Sequence, residues 1–202
     1  MSKKATRRPP EQRRQEIVDT AVALANTLGL DRVTSRDVAN ELGVATGLVH
    51  HYFPTVDELV VAAFAQAATG QNEQDETACS TLPALDALRA LVQRTLAMDS
   101  ADARLWMSAW VAAPRRPELA REVDKQMLAA LDILTGLLAK GHALGVFDAP
   151  NPTGSAVRIL TLFDGFVVQL SMRSHAAYGD IHSLIWDTVE REVGLPAGSL
   201  RP

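Results

Sequence analysis

Cationic, hydroxyl and imidazole side chains are concentrated in the first quarter of the sequence. Residues 1–16 hold six basic residues against two acidic ones, although the whole chain carries a net charge of −4. A second group, between residues 34 and 52, combines hydroxyls, an arginine and two adjacent histidines. Such groups bind phosphates and hydrogen-bond the edges of bases. A basic end on an acidic remainder favours a polyanion as the partner of that end, with a merely solubilising tail as the alternative.

Residues 35–53 have the spacing of two short helices joined by a tight turn. Their sequence is S-R-D-V-A-N-E-L-G-V-A-T-G-L-V-H-H-Y-F. Gly43 supplies the turn, Ala39 is small where the helices cross, and Val44 fills the gap inside the turn. The buried seam is expected to consist of Val38, Leu42, Val49 and Phe53 against Leu24 and Leu28. The pattern predicts a helix-turn-helix whose second helix enters a DNA major groove, with two packed structural helices as the alternative.

The candidate DNA contacts lie on the outer face of that second helix and in the N-terminal arm. Two of those on the helix are histidines, which can donate hydrogen bonds to phosphates or base edges. The outward residues of the helix are Thr46, Gly47, Leu48, His50 and His51. The cations of the arm, which are expected to follow the phosphates or enter the minor groove, are Lys3, Lys4, Arg7 and Arg8.

The whole chain predicts an all-α fold of about nine helices. Apolar residues recur at helical spacing, no segment alternates as a strand would, and 47% hydrophobic residues suffice for a core. Residues 70–81 are polar and predict a loop or a frayed helix end. A last helix is expected to be capped by Asp180. We expect a flexible basic arm (1–10), a three-helix helix-turn-helix domain (11–56) and a helical ligand-binding and dimerisation domain (57–202).

No residue pattern indicates catalysis or metal binding. The five histidines lack the spacing of metal ligands, and no G-x-S-x-G, P-loop or G-x-G-x-x-G occurs. Cys79 is the one cysteine, so it has no partner for an intramolecular disulfide. The basic N-terminus lacks an apolar stretch of the signal-peptide kind, and no apolar run reaches the roughly 18–20 residues that span a bilayer. We expect a cytoplasmic protein that is not an enzyme and uses no cofactor.

Two tryptophans mark a candidate ligand site in the C-terminal part. Trp106 and Trp110 lie four residues apart, on one helical face, with Asp102 one turn earlier. The other residues available to line this interior are Met107, Met127, Phe147, Phe163 and Asp164. Indole rings and carboxylates attract amines or quaternary ammonium groups. Hydrophobic drugs or acyl chains would use the same tryptophan and methionine side chains, and ordinary core packing is a further interpretation.

The stretch from Arg14 to Phe64 resembles the N-terminal domain of TetR-type transcriptional regulators. The resemblance rests on R-R-Q-E-I-V-D-T-A, on L-A-N-T-L-G-L-D-R-V-T-S-R-D-V-A-N-E-L-G-V and on G-L-V-H-H-Y-F-P-T-V-D-E-L. The segment from Trp106 to Leu170, with K-G-H-A-L-G-V-F and L-F-D-G-F, is similar to the BetI-like, choline-regulator branch of that family.

The resemblance implies a role for each matching position. The residues that would open the second helix beside the phosphates are Thr34, Ser35 and Arg36; those that would read bases are Thr46, Gly47 and Leu48; those that would hold the DNA backbone are His50, His51 and Tyr52. Three positions depart from the family pattern. Ala45 replaces a capping serine, so that Thr46 is expected to cap instead; His50 replaces a tyrosine; and Val56 replaces a phosphate-binding lysine.

These observations predict a ligand-responsive repressor. Through residues 34–53 it would bind a palindromic operator as a dimer, and a small molecule in the C-terminal domain would release it. The resemblance places the dimer contact in the last two helices, about 153–174 and 180–193, whose stripes are Val157, Leu160, Val167, Leu170, Leu184, Ile185 and Val189. The alternatives are a helical protein that only binds small molecules and a non-specific architectural DNA-binding protein.

Overall fold

The computed structural model describes residues 9–172 and 180–201, and these ranges are helical, with no β-strand in them. Their nine α-helices are α1 (Pro10–Leu28), α2 (Ser35–Leu42), α3 (Thr46–Tyr52), α4 (Val56–Thr81), α5 (Ala84–Ala97), α6 (Ser100–Ala112), α7 (Pro117–Ala143), α8 (Pro152–Met172) and α9 (Ile181–Glu192). Short 3₁₀ turns follow α1 and α6. The predicted all-α class is confirmed. The arm residues Lys3, Lys4, Arg7 and Arg8 lie outside the described residues.

Side-chain caps fix where five of the described helices begin, with Asn151 Oδ1 accepting from Gly154 N at the start of α8. Thr34, Thr55, Asp99 and Asp180 each accept a backbone N–H from the first turn of α2, α4, α6 and α9, respectively. These bonds satisfy donors that have no partner inside the helix. The cap of α9 is as predicted, and at α2 the capping residue is Thr34.

Two hydrophobic clusters hold the helices together. The first joins α1–α4 to α6 and to the start of α7, with Phe64, Leu105 and Leu119 buried in it. The second joins α5, the end of α7, α8 and α9 around Leu138 and Ile159. Because the first cluster crosses the predicted boundary at residue 56, the N-terminal helices are packed firmly onto the body.

The polar segment 70–81 is helical, which corrects the prediction of a loop or frayed end. α4 runs through it without interruption. Its glutamine, glutamate and alanine residues are good helix formers, and its polar groups find partners on neighbouring helices. Asn72 Nδ2 donates to Gln126 Oε1 on α7 at 2.9 Å, and Asp75 pairs with Arg94 on α5. The segment lacks an apolar stripe because it packs through polar contacts.

Much of the apolar stripe that predicted the dimer contact belongs to the core of the monomer. Val167, Ile185 and Val189 are buried within the monomer, so these members of the predicted stripes do not support a dimer contact. Val157 and Leu184 are exposed, at 47% and 52%. An interface on α8 and α9 therefore has to use the faces that carry these two residues.

α8 is long and apolar enough to cross a membrane by length and composition alone. An 18-residue window in it has a mean hydropathy of 1.3, and 33% of that window is buried. The window contains Arg158 and Asp164, so it is not an uninterrupted apolar run of the kind that the sequence analysis looked for. α8 packs against α6, α7 and α9, and a core helix of a soluble domain meets the same two criteria.

Candidate functional site

α2 and α3 meet in a tight turn, as predicted. Gly43 has φ 64°, in the left-handed region that glycine adopts without strain, and Val44 N donates to Ala39 O at 2.9 Å. Val38 and Val49 are fully buried beneath the turn. The predicted seam is wrong at Leu28, which is 40% exposed, because it lies at the end of α1. The turn thus buries one face of α3 and leaves the other in solvent.

The outer face of α3 carries the residues predicted to meet DNA. Gly47, His50 and His51 are exposed, while Thr46, Leu48 and Tyr52 are partly exposed. The side chain of His51 packs edge-on against the ring of Tyr52, with centroids 5.2 Å apart. Ala45, directly before α3, makes no side-chain cap, and the expectation that Thr46 caps instead is wrong, because Thr46 is the first residue of the helix. The helix therefore offers donors and a side-chain-free glycine along one accessible surface.

The start of α2 matches the predicted site only in part. Thr34 and Arg36 are exposed. Ser35 is buried, with 5% exposure, so the expectation that its hydroxyl faces phosphates is not met. The physical reason is that the first turn of α2 packs against α1. Val56 is half-buried against the first hydrophobic cluster, and an apolar side chain at the start of α4 suits that environment.

Arg14 lies beside the end of α3 and was not among the predicted DNA contacts. Its guanidinium lies over the ring of Phe53, 4.8 Å from the centroid, directly after α3. Such a cation–π contact holds a cation in place at the end of α3. Arg14 lies on α1, almost forty residues before Phe53, so the spacing of the motif could not have predicted the contact.

A cavity of about 500 Å³ opens between α1, α4, α5, α6, α7 and α8. Of the predicted ligand residues, it is lined by Trp106, Trp110, Met127, Phe163 and Asp164, and Asp102 also faces it. Met107 and Phe147 are not part of the lining, so their predicted grouping with the tryptophans is not reproduced. The turn after α7 folds the ring of Phe147 back over Gly141, where it is buried in the second cluster.

The aromatic side chains of the cavity are held in fixed positions. Trp106 packs edge-on against Phe64, with centroids 5.1 Å apart, and lies 5.7 Å from Trp110. Its indole N–H donates to Gln71 Oε1 at 2.8 Å. A rigid aromatic wall needs little reordering when a flat or cationic ligand binds against it.

Acidic side chains outnumber basic ones in the lining of the cavity. Burial raises the pKa of Asp164 to about 6. Burial, and secondarily the neighbouring Asp99, raises the pKa of Asp102. Arg94, whose pKa is lowered by burial, is already paired with Asp75. Burial therefore destabilises the ionised forms of two carboxyl groups that face the cavity. A cation in the cavity would stabilise those ionised forms.

Helix α1 forms one side of this cavity. Val22 and Asn26 of α1 belong to the lining. The end of α1 is tied to α6: Arg104 Nη1 donates to Asn26 O at 2.7 Å, and Leu30 N donates to Ser108 Oγ at 2.9 Å. Sequence analysis did not anticipate this junction, because it joins segments almost eighty residues apart.

Two family models match the chain. The model described as bacterial regulatory proteins of the tetR family matches residues 17–63, and the model of the C-terminal part of BetI-type transcriptional repressors matches residues 83–194. The chain belongs to the TetR family of bacterial transcriptional regulators. Its C-terminal half is of the BetI type, as the sequence resemblance predicted. TetR-family regulators are soluble cytoplasmic proteins and not enzymes; they bind operator DNA and small effectors, typically as dimers.

Known TetR-family proteins resemble the chain over most of its length. The transcriptional regulator BetI of Brucella anthropi is 28% identical over 192 residues, covering 78% of this chain and 93% of that protein. A protein described as a transcriptional regulator from Saccharomonospora viridis, solved with choline, has a TM-score of 0.80 at 20% identity, covering 89% and 96%. The multidrug binding protein EbrR, solved with proflavin, has a TM-score of 0.63 at 23% identity, covering 90% and 99%.

The described residues give no indication of a metal centre. They contain no group of three or more histidine, cysteine, aspartate or glutamate side chains that could hold an ion. Cys79 is half-buried, and burial raises the pKa of its thiol. A raised pKa keeps the thiol protonated and weakly nucleophilic.

Proposed function

We propose that this TetR-family regulator is a repressor that binds a palindromic operator as a dimer and releases it when a small organic cation enters the cavity. One observation carries the proposal: the cavity is lined both by Trp106 and Asp164 of the body and by Asn26 of the DNA-binding half. A ligand in contact with both halves can favour one relative arrangement over another, which is what release by a ligand requires.

The DNA contacts of the proposal come from α3 and its surroundings. Base reading is assigned to Thr46, Gly47 and Leu48, and backbone contacts to His50, His51 and Tyr52. The exposed Thr34 and Arg36 and the arm residues 1–10 add phosphate contacts in this proposal. Of the assigned positions on α2 and α3, Gly47, His50 and His51 are exposed, as are Thr34 and Arg36.

A cationic effector is favoured by Asp164, whose carboxyl has no counter-charge beside it among the described residues, and by Asp102, whose carboxyl has a hydrogen bond to the backbone of Asp99. A neutral apolar ligand would cover both carboxyls without supplying a counter-charge, and burying a carboxylate without one is costly. An ammonium group would instead pair with them and lie against the indole faces. The ligands of the two solved proteins described above, choline and proflavin, are both cations.

The dimer contact is assigned to α8 and α9. A palindromic site requires a two-fold symmetric protein. Val157, Met172 and Leu184 are exposed apolar residues on these helices, with exposed fractions of 47%, 65% and 52%. Burying them against the same faces of a second copy would remove them from water.

Selection of DNA from a random pool by the purified protein tests the proposal. We expect enrichment of an inverted repeat and its release by choline, with His51→Ala enriching nothing at the same protein concentration. Enriched DNA without two-fold symmetry would contradict the dimeric reading of a palindrome. An inverted repeat that no organic cation releases would contradict the assigned effector class.

A further inference from the structure

Arg14 is an exposed cation of α1 that an aromatic ring, and not a carboxylate, holds in place. Its guanidinium lies 4.8 Å from the centroid of the Phe53 ring. In the ranges 9–172 and 180–201 it forms no ion pair, whereas Nη1 of the adjacent Arg13 lies 2.8 Å from Glu16 Oε2. A contact with the face of a ring leaves the N–H donors of a guanidinium available to another group.

The carboxyls that share a groove with Arg14 have partners of their own. The groove opens between α1, the end of α3 and the starts of α4 and α7, and its acidic residues are Asp57, Glu58 and Glu118. The partners are Arg116 for Asp57, Thr55 for Glu58 and Arg121 for Glu118. A carboxylate that turned to neutralise Arg14 would have to leave such a partner. The charge of Arg14 is therefore available to a group from outside the described residues.

Arg14 lies close to the place where the backbone of a bound duplex has to pass. α3 has seven residues and is about 10 Å long, while a major groove is about 12 Å wide and bordered by phosphates. In a helix-turn-helix the first residues of the second helix contact the bases, so the opposite end of so short a helix lies towards a border of the groove. Phe53 directly follows that end. Tyr52, to which a backbone contact is assigned above, lines the same groove of the protein as Arg14.

We propose that Arg14 binds a phosphate of the DNA backbone from outside the helix-turn-helix, and that the ring of Phe53 positions the guanidinium for this contact. The inference rests on the proposed function, because α3 has to enter the major groove to bring a phosphate to Arg14. A guanidinium can form two parallel hydrogen bonds with a phosphate. A side chain that is already held in place loses little conformational entropy when these bonds form. Arg14 then adds affinity that does not depend on the base sequence.

The test measures the affinity of the full-length protein for the selected operator and for a mixed-sequence duplex of the same length, at a series of salt concentrations. Arg14→Gln keeps part of the side chain over Phe53 but removes the charge. It should weaken binding of both duplexes roughly tenfold at low salt, and it should lower the slope of log affinity against log salt concentration by about 0.9 for each bound copy of Arg14. Arg14→Ala should show the same fall in slope. Arg14→Lys keeps the charge and should keep the slope.

Lys125→Ala is the matched control, because it removes one positive charge from an exposed position on α7, and it should behave as the wild type. A wild-type slope in Arg14→Gln and Arg14→Ala would overturn the inference, even if their affinity falls, because a residue that only supports the fold does not change the slope. An equal fall in slope in Arg14→Lys would also overturn it. In both cases a loss of operator binding in His51→Ala would leave the proposed function standing. Unchanged operator binding in both His51→Ala and Arg14→Gln would overturn both.

Discussion

Single carboxyl side chains are the feature that favours the proposed ligand cavity over ordinary core packing. Asp164 sits in an otherwise apolar helix, faces the cavity and has a pKa raised to about 6 by burial. Asp102 faces the same space, and its pKa is raised for the same principal reason. Two such carboxyl groups would destabilise a core whose only role is structural. Their presence is best explained by a positively charged partner.

Replacing Asp164 by asparagine should change stability in a pH-dependent way. The folded state holds the proton more tightly than the unfolded chain, whose aspartate pKa is 3.8, so wild-type stability falls as the pH rises from 3.8 to about 6. The Asp164→Asn protein has no such loss, because asparagine does not ionise. The difference in free energy of unfolding between Asp164→Asn and the wild type should therefore grow in favour of the variant by on the order of 1–2 kcal/mol between about pH 4 and pH 7.5, allowing for partial hydration of the site. Urea unfolding at several pH values measures this; a constant difference would contradict it.

Two residues of α3 should account for much of the operator affinity. Thr46→Ala or His51→Ala should each weaken operator binding by roughly 1–3 kcal/mol, because each removes a donor from the exposed face of the reading helix. Fluorescence anisotropy with the selected operator gives the affinities. Gln93→Ala, an exposed change on α5, is the control. Unchanged affinity in both α3 variants would show that another surface reads the DNA.

Whole elements were predictable where the deciding interactions are local. The helix-turn-helix follows from Gly43, Val44 and Ala39, whose contacts are a few residues apart. The helical segment 70–81 was missed because its partners, such as Gln126 on α7, lie about fifty residues away. The contact between Asn26 and Arg104 of α6 was missed for the same reason, since the two residues are almost eighty positions apart in the sequence. Sequence pattern reports local geometry well and says little about long-range polar pairing.

The N-terminal arm should contribute to DNA binding mainly through its charge. Deleting residues 1–9 removes Lys3, Lys4, Arg7 and Arg8. Each lost phosphate contact should lower the slope of log affinity against log salt concentration by about 0.9. Operator titrations at a series of salt concentrations, with full-length and shortened protein, measure the slope. Identical slopes would show that the arm makes no phosphate contacts and only increases solubility.

At the scale of the whole molecule, the proposed function connects the outer face of α3 with the exposed faces of α8 and α9 through the cavity. The first hydrophobic cluster packs the DNA-binding half on α6 and α7, so that half has a defined position on the body. The exposed faces of α8 and α9 then set the distance between two copies of α3 in a dimer. A ligand changes this distance only as far as it binds one arrangement better than the other.

Leu184→Glu should separate the dimer. Leu184 is 52% exposed on α9, and a charge there would have to be buried in the proposed interface. Sedimentation should show a shift towards monomer and, with it, a loss of operator binding. Leu128→Glu, at a position 59% exposed on α7, is the control and should remain dimeric. A Leu184→Glu protein that stays dimeric would place the interface elsewhere.

The linkage between the two sites tests the central claim most directly. Choline affinity is measured for the free protein and for the protein saturated with its selected operator, and operator affinity is measured with and without saturating choline. Thermodynamic linkage requires the two ratios to be equal, and a coupling of about 1–3 kcal/mol is typical. We predict that operator weakens choline binding by the same factor, roughly 5- to 150-fold, by which choline weakens operator binding. A choline affinity that is identical with and without operator would contradict the account.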